Sequence, residues 1–480
     1  MNRKYERNIS SIDKQNYEKL FKLIPDSLPD EIKQAIKSSI ETLSKLEAEQ
    51  EKFEEYVYQV NSDDIIISYN GLNRCRYLLG CSKQAVPTGQ IIELFFQTRV
   101  HIKIFDIAKS TNVPLLKYEA LWIICNLCFG TQQQIQVILD KDGIDIFFNS
   151  LQSEHDEIVE LAIWGLSNIA GDNYKFRDLI LKKGVLQPFM NLARKYQNQK
   201  SEIFKTLVWA ITNLTQGQPA PNKIYNKDLL LILSEILIIS EDEEILTDTC
   251  LGLSYLSQDE NLIDILIQQR IIEKLILLLN SDKQSLIIYS LRTLGNILTG
   301  SEEQTNIVIN FGIIQAFEKL IKNKSQKIRR EVCWSLSNIA AGTSYQVKQI
   351  IQNDSLLKSL FELLEQGLPD IIEQIAYLMS NSVVYAELKD LDHLVMQYGF
   401  IQKMANLLNE KEKKIIRVTL EGIYEILRRV QNDARFEQYK KLIVDSNIIT
   451  IVKSLQNNRS KEIKENASKV IDIFTSKAST

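Results

Sequence analysis

Four tryptophans are each followed four residues later by an asparagine, and they are the complete set in this 480-residue chain. The pairs are Trp122/Asn126, Trp164/Asn168, Trp209/Asn213 and Trp334/Asn338. Residues i and i+4 share one face of a helix, so each pair presents an indole and an amide together. The amide can donate to and accept from the backbone of an extended peptide. The indole can attract a Lys or Arg side chain by ~0.5–2 kcal/mol. These residues predict a surface that binds basic peptides without chemical reaction.

The same phrase returns in three further places, with one residue of the pair changed in two of them and both changed in the other. These are Leu251/Tyr255, Arg292/Asn296 and Tyr377/Asn381. Successive phrases lie 41 to 45 residues apart. A period of this size indicates a helical solenoid of the HEAT or armadillo kind rather than one globular core.

Packing is the alternative interpretation of the ladder. A tryptophan at a repeated helical position usually fills a core, and one instance would favour that interpretation. Asparagine is a poor helix former and is rarely buried without a partner. Because every tryptophan has its asparagine at the same spacing, we favour peptide binding.

Each repeat reads as a turn, a short helix, an apolar helix and a long third helix carrying the phrase. Glycines 143, 184, 312 and 399 mark the turn, with Asp354 and Asn447 in equivalent places. All three residue types tolerate the left-handed conformation. We therefore expect an all-α fold, a right-handed superhelical solenoid of about ten armadillo repeats.

The ends of the chain differ from the repeats. We expect residues 1–63 to form a separate, partly helical segment, residues 64–475 the solenoid, and residues 476–480 a short disordered tail. Arg3, Lys4 and Arg7 are the only local basic cluster in the first segment that could fold back onto the groove.

Composition argues against several other classes of protein. A formal net charge of −4 is unlike a nucleic-acid binder. The most apolar stretch, 229–240, is too short to cross a bilayer. Cys125 and Cys128 form a CxxC without a second pair, so we expect no metal or cofactor. Three histidines on different repeats and no nucleophile motif argue against an enzyme.

The ordered phrases WIICNLCFGT, WGLSNIAGD, TLVWAITNLTQ, DTCLGLSYL, LRTLGNILTG and CWSLSNIAAGT resemble the importin alpha family from about residue 64 to 475. That resemblance implies an adaptor that carries proteins with a Lys/Arg-rich nuclear localisation signal. It shuttles between cytoplasm and nucleus, and we expect a monomer. A scaffold or sequestering factor for a basic ligand, without a transport role, is the alternative.

By this resemblance, a major peptide-binding site uses ten positions: Trp122, Asn126, Gly130, Trp164, Asn168, Asp172, Trp209, Asn213, Asp248 and Tyr255. Asp172 would receive the ammonium of the key lysine, beside the Gly130 carbonyl. Ile135 stands where the family usually has threonine, and Leu251 where it has tryptophan. Both departures remove a contact.

The minor site implied by the resemblance uses nine positions: Arg292, Asn296, Thr299, Thr305, Glu331, Trp334, Asn338, Tyr377 and Asn381. Glu331 would be its acidic partner. Tyr377 and Gln374 replace a tryptophan and an acidic residue, so we expect weaker binding in this half.

The resemblance also implies partners at both ends. The family's N-terminal arm binds importin beta through clusters of arginine and lysine, and residues 1–63 are at best a degenerate arm. The final helix resembles the terminal repeat on which the export factor docks. We expect neither nucleic acid nor a membrane as a partner.

Overall fold

The computed structural model describes residues 14–43, 48–80, 89–197 and 201–476. Within these ranges the chain folds into α-helices and two short 3-10 helices, Gln50–Lys52 and Glu260–Leu262, with no strand. The expected all-α fold is confirmed. None of the described helices is both long and apolar enough to cross a membrane. Arg3, Lys4, Arg7 and residues 477–480 lie outside the described residues.

The chain divides into two compact units, Met1–Gly252 and Leu253–Thr480. Unit 1 contains helices α1 (Lys14–Phe21), α2 (Asp30–Leu43), α3 (Phe53–Val60), α4 (Ile65–Gly80), α5 (Gly89–Gln97), α6 (Val100–Ser110), α7 (Pro114–Leu127), α8 (Gln132–Asp140), α9 (Gly143–Ser150), α10 (Asp156–Asp172), α11 (Tyr174–Lys182), α12 (Leu186–Tyr196), α13 (Glu202–Thr215) and α14 (Lys223–Ile239). Helix α15 (Glu243–Leu256) contains the boundary between the units.

Unit 2 is a succession of helix triplets in its described residues. Its helices are α16 (Ile263–Gln268), α17 (Ile272–Leu278), α18 (Gln284–Ile297), α19 (Glu302–Asn310), α20 (Ile313–Leu320), α21 (Gln326–Ala340), α22 (Ser344–Ile351), α23 (Asp354–Glu365), α24 (Pro369–Tyr385), α25 (Leu388–Tyr398), α26 (Phe400–Leu407), α27 (Lys413–Val430), α28 (Phe436–Asp445), α29 (Ile448–Leu455) and α30 (Lys461–Thr475). The third helix of each triplet packs on the third helix of the next, from α18 to α30.

A short phrase, Gly-Ser/Thr-x-x-Gln, starts the first helix of three repeats. Thr131, Ser301 and Thr343 each cap a helix and exchange hydrogen bonds with the glutamine three residues on, Gln134, Gln304 and Gln346. This reciprocal capping box satisfies two backbone N–H groups that a helix start leaves open. The glycine before the cap leaves room for the glutamine, since a Cβ on Gly130 would lie 2.5 Å from Gln134 Oε1.

The same glutamines also connect neighbouring repeats. Gln134 Nε2 donates to Glu93 at 2.8 Å, and Gln304 Nε2 donates to Asp264 at 2.7 Å. Gln346 Nε2 donates to the Glu302 carbonyl at 3.0 Å. One side chain thus closes its own helix start and holds the preceding repeat. We call these three residues the glutamine staples.

The turns follow the sequence interpretation at Gly184, Gly312, Gly399 and Asn447, which all have positive φ. The prediction is wrong at Gly143, where the left-handed residue is Asp142 with φ 60°. Gly143 is needed for close packing instead, because a Cβ there would lie 2.6 Å from the Ile138 side chain. Asp354 lies within α23, and Asn353 caps that helix by accepting from Leu356 N.

Helices α2 and α3, which precede residue 64, pack onto the first repeats. Helix α3 contacts α4 and α6, and its Phe53 ring lies 4.9 Å from the Phe95 ring. Phe53 and Phe95 are both buried. The domain boundary at 63/64 stays a prediction, but the apolar face of α3 belongs to the core of these repeats.

Candidate peptide-binding site

The Trp/Asn phrases all lie on third helices, as their spacing predicts. We call α7, α10, α13, α15, α18, α21 and α24 the ladder helices, and each position pair i, i+4 a rung. Within unit 1, α7 packs on α10 and α10 on α13; within unit 2, α18 packs on α21 and α21 on α24. Consecutive rungs on these helices are therefore neighbours.

Most of the rung asparagines bind the preceding ladder helix. The bonds run from Asn213 Nδ2 to Ser167 Oγ (2.9 Å), Asn296 Nδ2 to the Ser254 carbonyl (3.1 Å), Asn338 Nδ2 to the Gly295 carbonyl (3.1 Å) and Asn381 Nδ2 to the Ser337 carbonyl (3.1 Å). Each partner directly precedes a rung residue of the earlier repeat. These amides stabilise the stack, which is the packing role that the sequence left open.

Asn126 and Asn168 are different. Asn168 is fully buried, and neither its Nδ2 nor its Oδ1 has a hydrogen-bond partner. The Nδ2 of Asn126 is also buried without a partner. A buried, unsatisfied amide costs roughly 1–3 kcal/mol, so native structures rarely keep one without a reason. Asn126 and Asn168 therefore keep unbonded amide groups, whereas the other four rung asparagines each donate a hydrogen bond to the preceding ladder helix.

The indoles of unit 1 are in contact with each other. The Trp122 and Trp164 ring centroids are 6.4 Å apart at an interplanar angle of 81°, an edge-to-face arrangement. Trp164 and Trp209 are buried, whereas Trp122 is partly exposed. An aliphatic stem between two rings needs roughly two van der Waals contacts of 3.5–4.0 Å, or more than 7 Å. The slot between Trp122 and Trp164 is closed in this structure.

Asp172 is the last residue of α10 and is half-buried. Its Oδ2 accepts from Asn173 Nδ2 at 3.0 Å. The carbonyl end of a helix carries negative potential, which makes a carboxylate there unfavourable and a cation favourable. Asp172 and its helix end together would attract an ammonium group.

The other residues predicted for the major site differ in their structural roles and in their exposure. Gly130 precedes a capping box, so its identity follows from the glutamine staple at Gln134. The backbone carbonyl of Asp248 accepts from Thr212 Oγ1 at 2.8 Å. Leu251 is buried, and Tyr255 is 37% exposed.

In unit 2, Glu331 is buried and already has a charged partner. Arg292 Nε lies 2.6 Å from Glu331 Oε2, and Arg292 Nη2 contacts Glu331 Oε1. The Cζ of Arg292 lies 5.2 Å from the Trp334 ring centroid. The predicted acidic residue of this half is neutralised by an arginine of the same chain.

The threonines of unit 2 also have internal bonds. Thr299 Oγ1 donates to the Asn296 carbonyl at 2.7 Å, and Thr305 Oγ1 to the Leu298 carbonyl at 3.4 Å. Tyr377 and Asn381 are half-buried on α24. Unit 2 thus places its predicted residues on neighbouring helices, where many of their polar groups already form hydrogen bonds or ion pairs within the chain.

Sequence reasoning missed a pair at the start of the ladder. Arg76 on α4 and Glu119 on α7 are both fully buried, and Arg76 Nε lies 2.5 Å from Glu119 Oε2. The Arg76 Cζ lies 4.5 Å from the Trp122 ring centroid. Burial on its own would lower the pKa of the Arg76 guanidinium, but Glu119, with contributions from Tyr118 and Tyr77, makes the net direction upward. Glu119 lies three residues before Trp122, as Glu331 lies three before Trp334, and this spacing could have indicated the acidic member of the pair.

The described residues contain no group of three or more His, Cys, Asp or Glu side chains arranged to hold a metal ion. Cys125 is buried, and its Sγ donates to the Leu161 carbonyl at 3.3 Å. Burial raises the pKa of the Cys125 thiol. Since thiolates are the metal-binding and reactive form, the CxxC behaves here as core.

Comparison with known proteins agrees with this architecture. A family model described as armadillo/beta-catenin-like repeat matches residues 301–341. Importin subunit alpha-1b of Oryza sativa subsp. japonica is 31% identical over 438 residues, covering 90% of this chain and 80% of the rice protein. The chain belongs to the importin alpha family. Importin subunit alpha-3 of Arabidopsis thaliana is 28% identical over 421 residues, covering 86% of this importin alpha-family chain and 77% of the relative.

A crystal structure of an engineered protein also matches, with a TM-score of 0.77 at 18% identity. It covers 89% of this chain and 99% of the engineered one. At that identity the likeness concerns the fold alone. Together with the repeat model, it agrees with an armadillo architecture for this importin alpha relative.

Proposed function

We propose that this importin alpha-family chain binds Lys/Arg-rich nuclear localisation signals in an extended conformation, centred on the ladder helices of unit 1. The observation that carries the proposal is the Asn168 amide, which is buried with neither polar atom bonded. Asn126 supports it with a second unbonded N–H group one rung earlier.

The proposed contacts follow from the geometry of an extended chain. Such a chain advances ~3.3–3.6 Å per residue, and packed helices lie ~8–10 Å apart, so a rung meets the peptide about every third residue. The amides of Asn126 and Asn168 would pair with peptide N–H and C=O groups. Asp172 and the end of α10 would hold a cationic head group.

Binding in this proposal includes a local opening. The Asn168 amide has no contact with water, and the Trp122 and Trp164 rings close the slot between them. A peptide reaches the amide only after this region opens, and a lysine stem enters only after one ring rotates. The gain from satisfying the amide offsets part of that cost.

Transport is the biological role we propose for this binding. The chain would act as an adaptor between basic cargo and importin beta, shuttling between cytoplasm and nucleus, with the export factor docking on the last repeat. This part of the proposal is supported by family membership. Nuclear accumulation of a fluorescent basic cargo in permeabilised cells given this chain and importin beta tests it. No accumulation despite tight peptide binding would favour a sequestering scaffold.

Fluorescence anisotropy with a labelled Lys/Arg-rich peptide tests binding itself. We expect Asp172→Lys to weaken binding by at least ~2 kcal/mol, roughly thirtyfold, because it replaces attraction with repulsion. Glu235→Lys is the matched control, since Glu235 is exposed on α14 and the change in net charge is the same. No binding by the unchanged chain, or equal loss in both variants, would contradict the proposal.

A further inference from the structure

Arg292, Glu331 and Trp334 form one continuous group in unit 2. Arg292 contacts both oxygens of the Glu331 carboxylate and places its guanidinium over the Trp334 ring at 5.2 Å. The Glu331 side chain is 5% exposed, whereas that of Arg292 is 40% exposed. A carboxylate beside an indole face is the combination that would recognise a cationic side chain. In this structure that cation belongs to the chain itself.

The same arrangement of arginine, glutamate and tryptophan occurs in unit 1. In unit 1, Arg76 binds Glu119 in the same way and stacks on Trp122 at 4.5 Å. In both units the arginine comes from the preceding third helix, and the glutamate lies three residues before the tryptophan. The two triads differ in burial, because Arg76 is buried and Arg292 reaches the surface.

We infer that Arg292 is a specificity-determining residue that occupies the cation subsite of unit 2 and excludes Lys and Arg side chains of a ligand from Glu331 and the face of Trp334 that it covers. The inference rests on the proposed function, because it concerns how unit 2 treats the same class of basic peptide. A cation of the ligand must displace the Arg292 guanidinium, which already makes a bidentate contact with Glu331. Because Arg292 belongs to the same chain, the ligand competes against a very high effective concentration of that guanidinium.

The chain offers a matched pair of arginines for the test. Arg330 Nη1 lies 3.8 Å from Glu331 Oε1, and its side chain is 47% exposed, close to the exposure of Arg292. Removing either arginine changes the net charge equally. Only Arg292 combines the bidentate contact with the position over Trp334. Arg330→Gln therefore controls for general electrostatic attraction of a basic peptide.

The experiment uses the full chain carrying Asp172→Lys, so that binding at unit 2 is seen apart from unit 1. Anisotropy with the labelled Lys/Arg-rich peptide is measured with and without Arg292→Gln. We expect Arg292→Gln to tighten binding at least about tenfold, as expected when a close charged partner becomes available. Arg330→Gln should change affinity less than about threefold. Equal effects of the two variants would overturn the inference.

Glu331 supplies the second arm. Combined with Arg292→Gln, Glu331→Gln should abolish the gain, because it removes the carboxylate that the vacated subsite would offer to a cation of the ligand. A gain that persists in the double variant would refute the inference.

Folding and the proposed function are checked separately. Should circular dichroism show that Arg292→Gln does not fold, Arg292→Lys replaces it, since lysine keeps the charge but cannot make the planar bidentate contact. We then expect a gain of at least about threefold, and no gain would count against the inference. If the chain without any substitution fails to bind the peptide, or if Asp172→Lys has no effect, the proposed function fails instead.

Discussion

The guanidinium of Arg76 lies over the indole of Trp122, with Cζ 4.5 Å from the ring centroid. Glu119 holds the guanidinium there from one helical turn before the tryptophan. The first tryptophan of the ladder therefore lies against a cation of its own chain and also makes an edge-to-face contact with Trp164. This stack defines where the proposed basic-peptide site of unit 1 begins.

We expect Glu119→Gln to lower the free energy of unfolding by about 3–5 kcal/mol, because it leaves the buried Arg76 charge without its partner. Urea denaturation followed by circular dichroism measures the change. The double variant Arg76→Met/Glu119→Leu is the control, since it removes both charges. A double variant as unstable as Glu119→Gln would mean that shape, not charge pairing, holds this position.

Asn168→Ala and Asn213→Ala should separate binding from stability. Asn213 donates to Ser167 and accepts from Gln216 Nε2, so its loss should cost about 1–2 kcal/mol of stability. Asn168 has no bond to lose, so Asn168→Ala should cost less than half as much and weaken peptide binding roughly tenfold. Denaturation and anisotropy on the same preparations decide this. The reverse ranking in stability would contradict the hydrogen-bonding pattern.

Gly295→Ala should disturb the Trp334 rung. Gly295 lies in helix α18, and a Cβ there would overlap the Trp334 ring and approach Ser335 Oγ to 2.9 Å. We expect a stability loss of about 1–3 kcal/mol from this overpacking and an altered near-ultraviolet circular dichroism signal. Gly89→Ala is the control, because a Cβ at Gly89 has no atom within 4 Å. An unchanged signal in Gly295→Ala would show that the indole moves aside freely.

His101 should make unit 1 less stable in mild acid. It is 6% exposed, and its Nδ1 lies 2.9 Å from the Phe95 carbonyl. Burial lowers the pKa of His101 below its usual 6.5, with smaller effects from Lys141 and Arg99, while the Phe95 carbonyl opposes the shift. In this pH range the unfolded chain therefore binds a proton at His101 more readily than the folded chain does. The contribution of His101 to the free energy of unfolding is fully present above about pH 6.5 and is lost as the pH falls below it.

The check is the unfolding free energy at pH 7.5 and pH 5.5 for the unchanged chain and for His101→Asn, whose amide can also donate to Phe95. We expect a smaller decline in the variant. The same decline in both chains would assign the pH dependence to other groups.

The ladder helices were predictable because the Trp/Asn spacing carries both the period and the helix face. The hydrogen-bond partners of the rung asparagines were not predictable in this way. Whether Asn213 or Asn168 finds a partner depends on the register between two packed helices, which one helix's sequence does not contain. Asp142 shows the same limit locally, since the left-handed residue precedes the expected Gly143. Packing against Ile138 explains that glycine, and turn preference alone could not distinguish the two residues.

The charged pairs needed three-dimensional information of another kind. The sequence identifies Glu331 as an acidic residue near Trp334. Whether Glu331 can bind a ligand depends on whether Arg292 on the neighbouring helix reaches it. Arg76 and Glu119 lie 43 residues apart and meet only when α4 and α7 pack. A search for glutamate three residues before each rung tryptophan would have found both acids, but not the arginines that neutralise them.

The glutamine staples give three of the repeats a connector of their own. Gln134, Gln304 and Gln346 lie within the phrase that starts their own repeat, and each reaches only to the repeat before it. A duplicated stretch of the gene would therefore bring the donor side of a junction with it, and a deleted one would remove that donor. Lineages could lengthen or shorten such a chain by whole repeats, changing how much peptide it spans without redesigning the remaining contacts.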